Sequence, residues 1–256
     1  METLRALNKE AKKQNKIHKV ILMYELGHIR EGASREEILE LAEECTKLEN
    51  IELYGFGTNP SCYSATMPIT EEMEEFVNLV EETEKKYNIK IEILSGGNST
   101  SYENLKNKEL PTRINELRMG ELIFFGVIPC VGKEVKGLNQ NNFILKTEIV
   151  EIKDKPSVPE AKIIGVDSYG DIPDEIEDRG IRTKALIAIG KQDVDTKKLE
   201  CTDKDIINLG ASSDYIILDI TDSKIKYKVG DIISFKLSYA AVLQVMTSSY
   251  VEKEVI

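Results

Sequence analysis

The stretch from Ile93 to Glu103 reads ILSGGNSTSYE: an apolar run, two glycines, a cluster of small hydroxyl and amide side chains, then a helix-like segment. Such a junction can hold a phosphate. Glycines let the backbone approach a ligand closely, and a helix start offers free N–H groups and a positive dipole end. Asn98 and Ser99 are the candidate ligand contacts. Capping of the following helix is the other reading of the same two residues, and the two roles are compatible. Glu25, His28, Arg30, Thr58, Asn59 and Arg118 also fall at or just after the ends of apolar runs. One polar loop means little, but four in register predict one pocket.

Other chemistries are poorly supplied. The only histidines are His18 and His28, too few to support a histidine triad well. Cys45, Cys62, Cys130 and Cys201 are scattered with no CxxC pair, so no metal site is predicted and reduced thiols are the simpler reading. His28 alone reads as a surface histidine.

The elements that must position these residues alternate. Leu4 to Lys13 has helical spacing. KVILMYEL, from Lys19, is a continuous apolar run, as in a strand buried on both faces. Ser34 to Leu48 is helical, with Ser34 and Glu37 spaced as a capping box. IELYGFGTN (51–59) is the second strand. Thr70 to Lys86 is a helix with Thr70 as its expected N-cap and Glu71 and Glu72 in its first turn. IKIEILSGG (89–97) is the third strand, a short helix follows, and ELRMGELIFFG (116–126) gives a fourth short strand and a turn. Short connections between alternating strands and helices predict parallel βαβ units, with functional loops at the strand C-termini. After about Lys133 the pattern becomes β-rich: FILKTEIVEIK, RTKALIAIG, YIILDIT and DIISFKLSY, with KPSVPEAK and DIPDEIEDRG as loops. The fold class is therefore α/β over residues 1–132, followed by a mainly antiparallel β domain over 133–256.

A net charge of −11 argues against a nucleic-acid partner and against docking on anionic lipid. No apolar run has membrane-span length, and the amphipathic N-terminus has no signal-peptide core, so a cytoplasmic location is expected.

At the level of motifs the sequence resembles the fold-type III pyridoxal phosphate racemases, the alanine and ornithine group. The resemblance covers essentially the whole chain and implies a partial TIM barrel of about four βα units followed by the β domain. LRMGELIFFG resembles the family's R-x-G strand end. It places Arg118 at the cofactor's pyridine nitrogen and the amides of Gly120 and Glu121 at its phosphate. GGNSTS resembles the family's phosphate turn, which Asn98 and Ser99 would form. ELGHIREG resembles the D-T-G-M-G-R-x-G pattern, so Arg30 would approach the phenolic oxygen. Tyr250, in MTSSYVEK, resembles a tyrosine that reaches the phosphate. AIGKQDVD resembles the loop of the second catalytic base, placing Lys191 there, and SSDYIILD resembles a substrate-carboxylate loop around Asp214.

Departures from the alanine racemase pattern point away from alanine. Lys191 stands where tyrosine is the second base, Phe56 replaces a histidine that stacks on the cofactor ring, and Glu25 replaces an aspartate. The acidic DIPDEIED run would attract a cationic amino acid such as ornithine. The family's first barrel strand carries the lysine that forms a Schiff base with pyridoxal phosphate. The first helix here matches the one before the fifth strand, so that lysine and four strands are missing. The expectation is an N-terminally shortened racemase, inactive alone, with weak or absent cofactor binding and a tendency to form homo-oligomers. The alternatives are a non-catalytic phosphate-binding module and a decayed racemase.

Overall fold

A computed structural model describes residues 1–61, 65–161, 164–166, 169–170 and 177–256. Cys62, residue 162 and residues 171–176 of the acidic run lie outside the described residues. The chain divides into two compact units, Met1–Gln140 and Asn141–Ile256.

The first unit opens with α1 (Glu2–Lys13) and then alternates: β1 (His18–Tyr24), α2 (Arg35–Lys47), β2 (Ile51–Thr58), α3 (Thr70–Tyr87), β3 (Ile93–Asn98), α4 (Tyr102–Asn107), β4 (Glu116–Arg118) and α5 (Glu121–Phe125). The four strands form one parallel sheet in the order β1-β2-β3-β4, as the alternating pattern predicts. The sheet is not closed, so β1 and β4 are its edges.

Local chemistry explains most boundaries. The Ser34 hydroxyl accepts from the Glu37 N–H while the Glu37 carboxylate accepts from the Ser34 N–H, so the capping box forms as read. Thr70 is not a cap. Ile69 occupies that place, Thr70 is the first helical residue, and no side chain caps the helix. Glu71 and Glu72 at the positive end of the dipole support this start without a side-chain cap. The segment after β4, expected as a turn, is the short helix α5.

The expectation that β1 is buried on both faces fails. Val20, Leu22 and Tyr24 are buried, whereas Ile21 is 41% exposed. One face of the sheet packs under the helices, where Leu22, Phe56 and Leu94 join Phe76, Leu79 and Val80 in the core. The opposite face carries Ile21, which is exposed, and the half-buried Met23 beside Gly55 and Gly57. Phe56, fully buried in the helix-side core, is therefore not on that face.

The domain boundary also shifts. A hairpin of β5 (Val127–Ile128) and β6 (Lys133–Glu134) follows α5. Leu122, Ile128 and Val135 form a small cluster, and the Val135 N–H donates to the Gly126 carbonyl at 2.8 Å. These contacts keep residues 133–140 with the first unit, so the division falls after Gln140 rather than at Lys133.

The second unit contains β7 (Ile144–Pro156), β8 (Ile181–Ile187), β9 (Leu199–Cys201), β10 (Ile207–Ala211), β11 (Ile216–Asp219), β12 (Ile232–Leu237) and α6 (Tyr239–Val245). The strands form an antiparallel sheet in the order β10-β11-β8-β7-β12-β9, around a core that includes Ile149, Ile187, Ile216 and Phe235. No described helix is long and apolar enough to cross a membrane, and no group of three or more potential metal ligands occurs among the described residues.

Candidate functional site

In the first unit the expected residues gather at the C-terminal ends of the strands. β1 ends at Tyr24, and the chain then bends through Glu25. The two oxygens of the Glu25 carboxylate accept the backbone N–H groups of His28 and of Arg30, the latter at 3.2 Å. Burial pushes this carboxyl up, but the N–H groups of His28, Arg30, Ile29 and Gly27 outweigh it and hold it below its usual range. Glu25 thus shapes the loop that presents Arg30.

Arg30 pairs with Glu31 through two N–H groups. The Arg30 contact, then that of Asn59, lowers the Glu31 carboxyl to about 2 against the cost of its burial. The network continues across the sheet. The Asn59 amide donates to Glu31 at 2.9 Å, and the Asn98 amide donates to Asn59 at 2.7 Å. The Asn98 oxygen accepts from the backbone N–H and hydroxyl of Thr100, each at 2.9 Å, so Asn98 caps the turn that follows β3. Three strand ends are thereby tied together by side chains alone.

Arg118 ends β4. Its guanidinium donates to the Ser95 hydroxyl and, at 2.9 Å, to the Thr58 carbonyl. Partial desolvation lowers its pKa, Glu116 and Glu31 oppose the shift, and Arg30 adds to it. The two arginines therefore feel each other's charge.

Ser99 is buried, and its hydroxyl accepts the Leu122 N–H at 3.0 Å. This bond brings Ser99 beside the turn that carries Gly120 and Glu121. A side chain at Gly120 would meet nothing within 4 Å, so space lies beside it. Burial raises the Glu121 carboxyl above its usual range. Gly97 has φ +115°, and a Cβ there would strike Ser101 Oγ at 2.7 Å and Pro60 Cδ at 2.8 Å, which explains the glycine in the turn.

His28, expected at the surface, is 7% exposed. Its Nδ1 lies 2.7 Å from the Thr66 hydroxyl, which itself donates to the Pro60 carbonyl at 2.6 Å. That leaves the Thr66 oxygen as acceptor and assigns the ring proton to Nδ1. Among the described residues, His28 Nε2 and Thr58 Oγ1 are buried without a hydrogen-bond partner.

The second unit brings together the other three expected residues. The Lys191 and Gln192 N–H groups donate to the Ser212 and Ser213 carbonyls at 2.9 and 3.1 Å, so the Lys191 loop and the Asp214 loop touch. Lys191 Nζ lies 3.9 Å above the Tyr169 ring. Asp214 is exposed and accepts from the Ser213 hydroxyl at 2.9 Å. Residues 191–194 line a cavity of about 250 Å³ with Gln244, Thr247 and Ser248. Tyr250 follows two residues later and is 78% exposed.

A family model described as the N-terminal domain of alanine racemase matches residues 1–128, half of the chain. The chain is 44% identical, over 257 aligned residues, to the ornithine racemase of Acetoanaerobium sticklandii, covering 100% of this chain and 72% of that protein. The chain belongs to the alanine racemase family. It is also 40% identical to the lysine racemase of Thermotoga maritima, over 92% of this chain and 65% of that one. Among solved structures it resembles the alanine racemase from Bartonella henselae with covalently bound pyridoxal phosphate. The TM-score is 0.61 at 18% identity, covering 96% of this chain and 65% of that chain. That likeness establishes the fold: four parallel βα units, then the antiparallel β domain. The chain spans under two thirds of the length of the last two proteins.

Sequence reasoning missed Glu31 and Ser95, which hold Arg30 and Arg118. Adjacency to Arg30 was the available signal for Glu31. Ser95 shows itself only once β3 and β4 are in register.

Proposed function

We propose that the chain carries the phosphate cradle and second base of a pyridoxal-phosphate racemase for a cationic amino acid, ornithine foremost. The observation that carries this reading is the strand-end cluster of Arg30, Asn98, Ser99, Arg118 and Gly120. It combines two guanidinium groups, hydroxyl and amide side chains, and open space. Those residue types fit an anionic phosphorylated ring. The relatives' activities on ornithine and lysine support a substrate with a distal ammonium group.

In this reading Ser99, Asn98 and the amides of Gly120 and Glu121 hold the phosphate; Tyr250, in the second unit, keeps the phosphate role only as the motif resemblance implies it. Arg118 would stand at the ring nitrogen and disfavour its protonation. Arg30, fixed by Glu31 and by the Glu25 loop, would serve the phenolic oxygen. When bound, pyridoxal phosphate supplies the electron sink for the α-carbanion. Lys191 is the base that takes or returns the α-proton on one face of the substrate. Asp214 lies in the substrate loop. A homo-oligomer would cover the Ile21 face of the sheet and the edges of β1 and β4.

A second reading, binding without catalysis by these 256 residues, has its own support. Lys19 sits at the start of β1, opposite the cluster, 3.9 Å from Glu52 and 3.8 Å above the Tyr54 ring. Lys191 belongs to the second unit. Neither is placed by the first-unit cluster as a covalent anchor.

Calorimetry with pyridoxal phosphate tests the cradle. Ser99→Ala and Arg118→Ala should each weaken binding about tenfold, the effect of one lost hydrogen bond to a charged group. If neither variant alters binding, Asn98 and Ser99 serve the local turns alone. Borohydride treatment after pyridoxal phosphate, followed by peptide mapping, separates the two readings. A label fixed on Lys191 would exclude binding without covalent attachment.

A further inference from the structure

Tyr250 lies beyond helix α6, which ends at Val245; the Thr247 and Ser248 N–H groups donate to the Gln244 carbonyl, each at 3.1 Å, and Val251 packs against the core of the second unit. A buried carboxyl group adds a side-chain tie next to Tyr250 itself. Asp193 is 6% exposed, and its Oδ1 accepts the Ser248 hydroxyl at 2.6 Å. Ser248 Oγ in turn accepts the Tyr250 backbone N–H at 3.1 Å. The bonds run in one direction, from the Tyr250 N–H to Ser248 to Asp193, so each polarises the next. A buried carboxylate is costly unless hydrogen-bonded, and a charge-assisted contact of this length is a strong one.

Asp193 is itself fixed close to Lys191. The N–H groups of Asp193 and Val194 both donate to the Gly190 carbonyl, at 3.1 and 3.2 Å, which closes a tight turn around Lys191 and Gln192. A second link runs beside the first: the Asp195 N–H donates to Gln244 Oε1 at 2.7 Å.

We propose that Asp193 and Ser248 are a positioning pair that locks the Tyr250 segment onto the Lys191 loop. The pair thereby fixes the Tyr250 segment relative to the Lys191 loop within the second unit. The assignment of roles rests on the racemase reading above; the mechanical link does not. Asp193 touches no reacting atom in this scheme. It acts through Ser248.

The test uses the 256-residue protein with Asp193→Ala, Ser248→Ala, their double variant and Asp193→Asn. Backbone hydrogen exchange is followed over residues 190–195 and 247–253. Each alanine variant should raise exchange at the Tyr250 amide about fivefold, the effect of one lost hydrogen bond of ordinary net strength. The double variant should add little, because both changes break the same chain. Asp193→Asn keeps an acceptor oxygen and should restore most of the protection. Unchanged exchange at Tyr250, or a rise spread equally over the second unit, would overturn the pair. Pyridoxal phosphate calorimetry forms the second arm. Asp193→Ala should weaken binding by the same factor as Tyr250→Phe, with no further loss when combined. Multiplying losses would overturn the positioning role. A Tyr250→Phe variant that binds normally would sink the cofactor reading of Tyr250 instead, and the exchange arm alone would then judge the pair.

Discussion

The two units hold their candidate residues in different ways. In the first, Arg30, Asn98 and Arg118 stand on strand ends, and side chains link them: Glu31 to Asn59 to Asn98, and Arg118 to Ser95. In the second, Lys191 and Asp214 sit on loops whose backbones bond each other directly, and Tyr250 is joined to them through a side-chain tether. A parallel sheet brings its strand ends side by side without effort, so the first unit needs polar side chains only to set orientation. Loops joining antiparallel strands have no such register and must be pinned amide by amide. Substitutions should therefore separate the units by mechanism.

The largest effects come from the cores that carry both sites. Phe56 packs without exposure under the helices of the first unit, and Phe235 does the same in the second. Phe56→Ala should cost about 3–5 kcal/mol by loss of transfer energy and cavity formation, read by urea denaturation. A loss below about 1 kcal/mol would mean that Phe56 lies in a looser environment than the packed face described here.

Next stands a buried ion pair that belongs to the second unit only. Arg182 donates to Asp219 at 2.7 Å, with 14% and 4% of their side chains exposed, and also contacts Asp222. Asp219→Ala removes the buried member of the pair and should destabilise the second unit, although Arg182 keeps its contact with Asp222. Burial raises the Asp219 carboxyl, but Thr221 and Arg182 together outweigh it and hold it below the usual range. Its folded pKa is thus depressed. The stabilisation is present above the unfolded carboxylate range and is lost as pH falls through the folded value. Acid titration of the Asp219→Asn variant should lack this component; an identical acid profile would exclude Asp219 as its source.

Much of this comparison was legible in the sequence, and the failures have physical causes. Four βα units were readable because each strand is an apolar run bounded by glycine or polar residues, as in IELYGFGTN and ILSGGN. The Ser34–Glu37 box was readable because both members lie within one turn. Thr70 was misread because the helix start depends on the dipole and on Glu71 and Glu72, not on a side-chain cap. Helix α6 was not read: the strand DIISFKLSY ends at its first residue, and nothing was assigned after it, although Ser238 accepts the Ala241 N–H at 3.3 Å as its cap. At the site, Arg118, Ser99 and Lys191 came from motifs. Their supports, Ser95, Leu122 and Asp193, depend on register or tertiary approach and leave no pattern in the chain.

Two glycines give a smaller and sharper test. Gly190 is packed against the Asp214 loop: a Cβ there would lie 2.6 Å from the Asp214 nitrogen and closer still to the Ser213 carbonyl. Backbone cannot yield as a side chain can, so Gly190→Ala should destabilise by about 1–3 kcal/mol, the usual cost of overpacking. The Lys191 and Asp214 loops would part, and exchange at the Lys191 and Gln192 amides should rise with the loss. Normal stability and exchange would mean that the two loops do not meet as described.

Gly120 should show the smallest effect on stability, and for that reason the most informative one. Its φ is −103°, open to any residue, and a Cβ would meet nothing within 4 Å. Gly120→Ala should therefore change stability by no more than about 0.5 kcal/mol, as for an unconstrained surface site. Its other consequence depends on what fills the space. If the amides of Gly120 and Glu121 hold a phosphate, a methyl group beside them intrudes on the anion's approach. Affinity for pyridoxal phosphate should then fall about tenfold while the melting temperature of the ligand-free protein stays put. The Ser99–Leu122 bond holds this turn from the side, so Ser99→Ala should lower both quantities. The pair of variants thus separates a turn kept for folding from a turn kept for a ligand. Unchanged affinity in Gly120→Ala would move the phosphate away from this turn altogether.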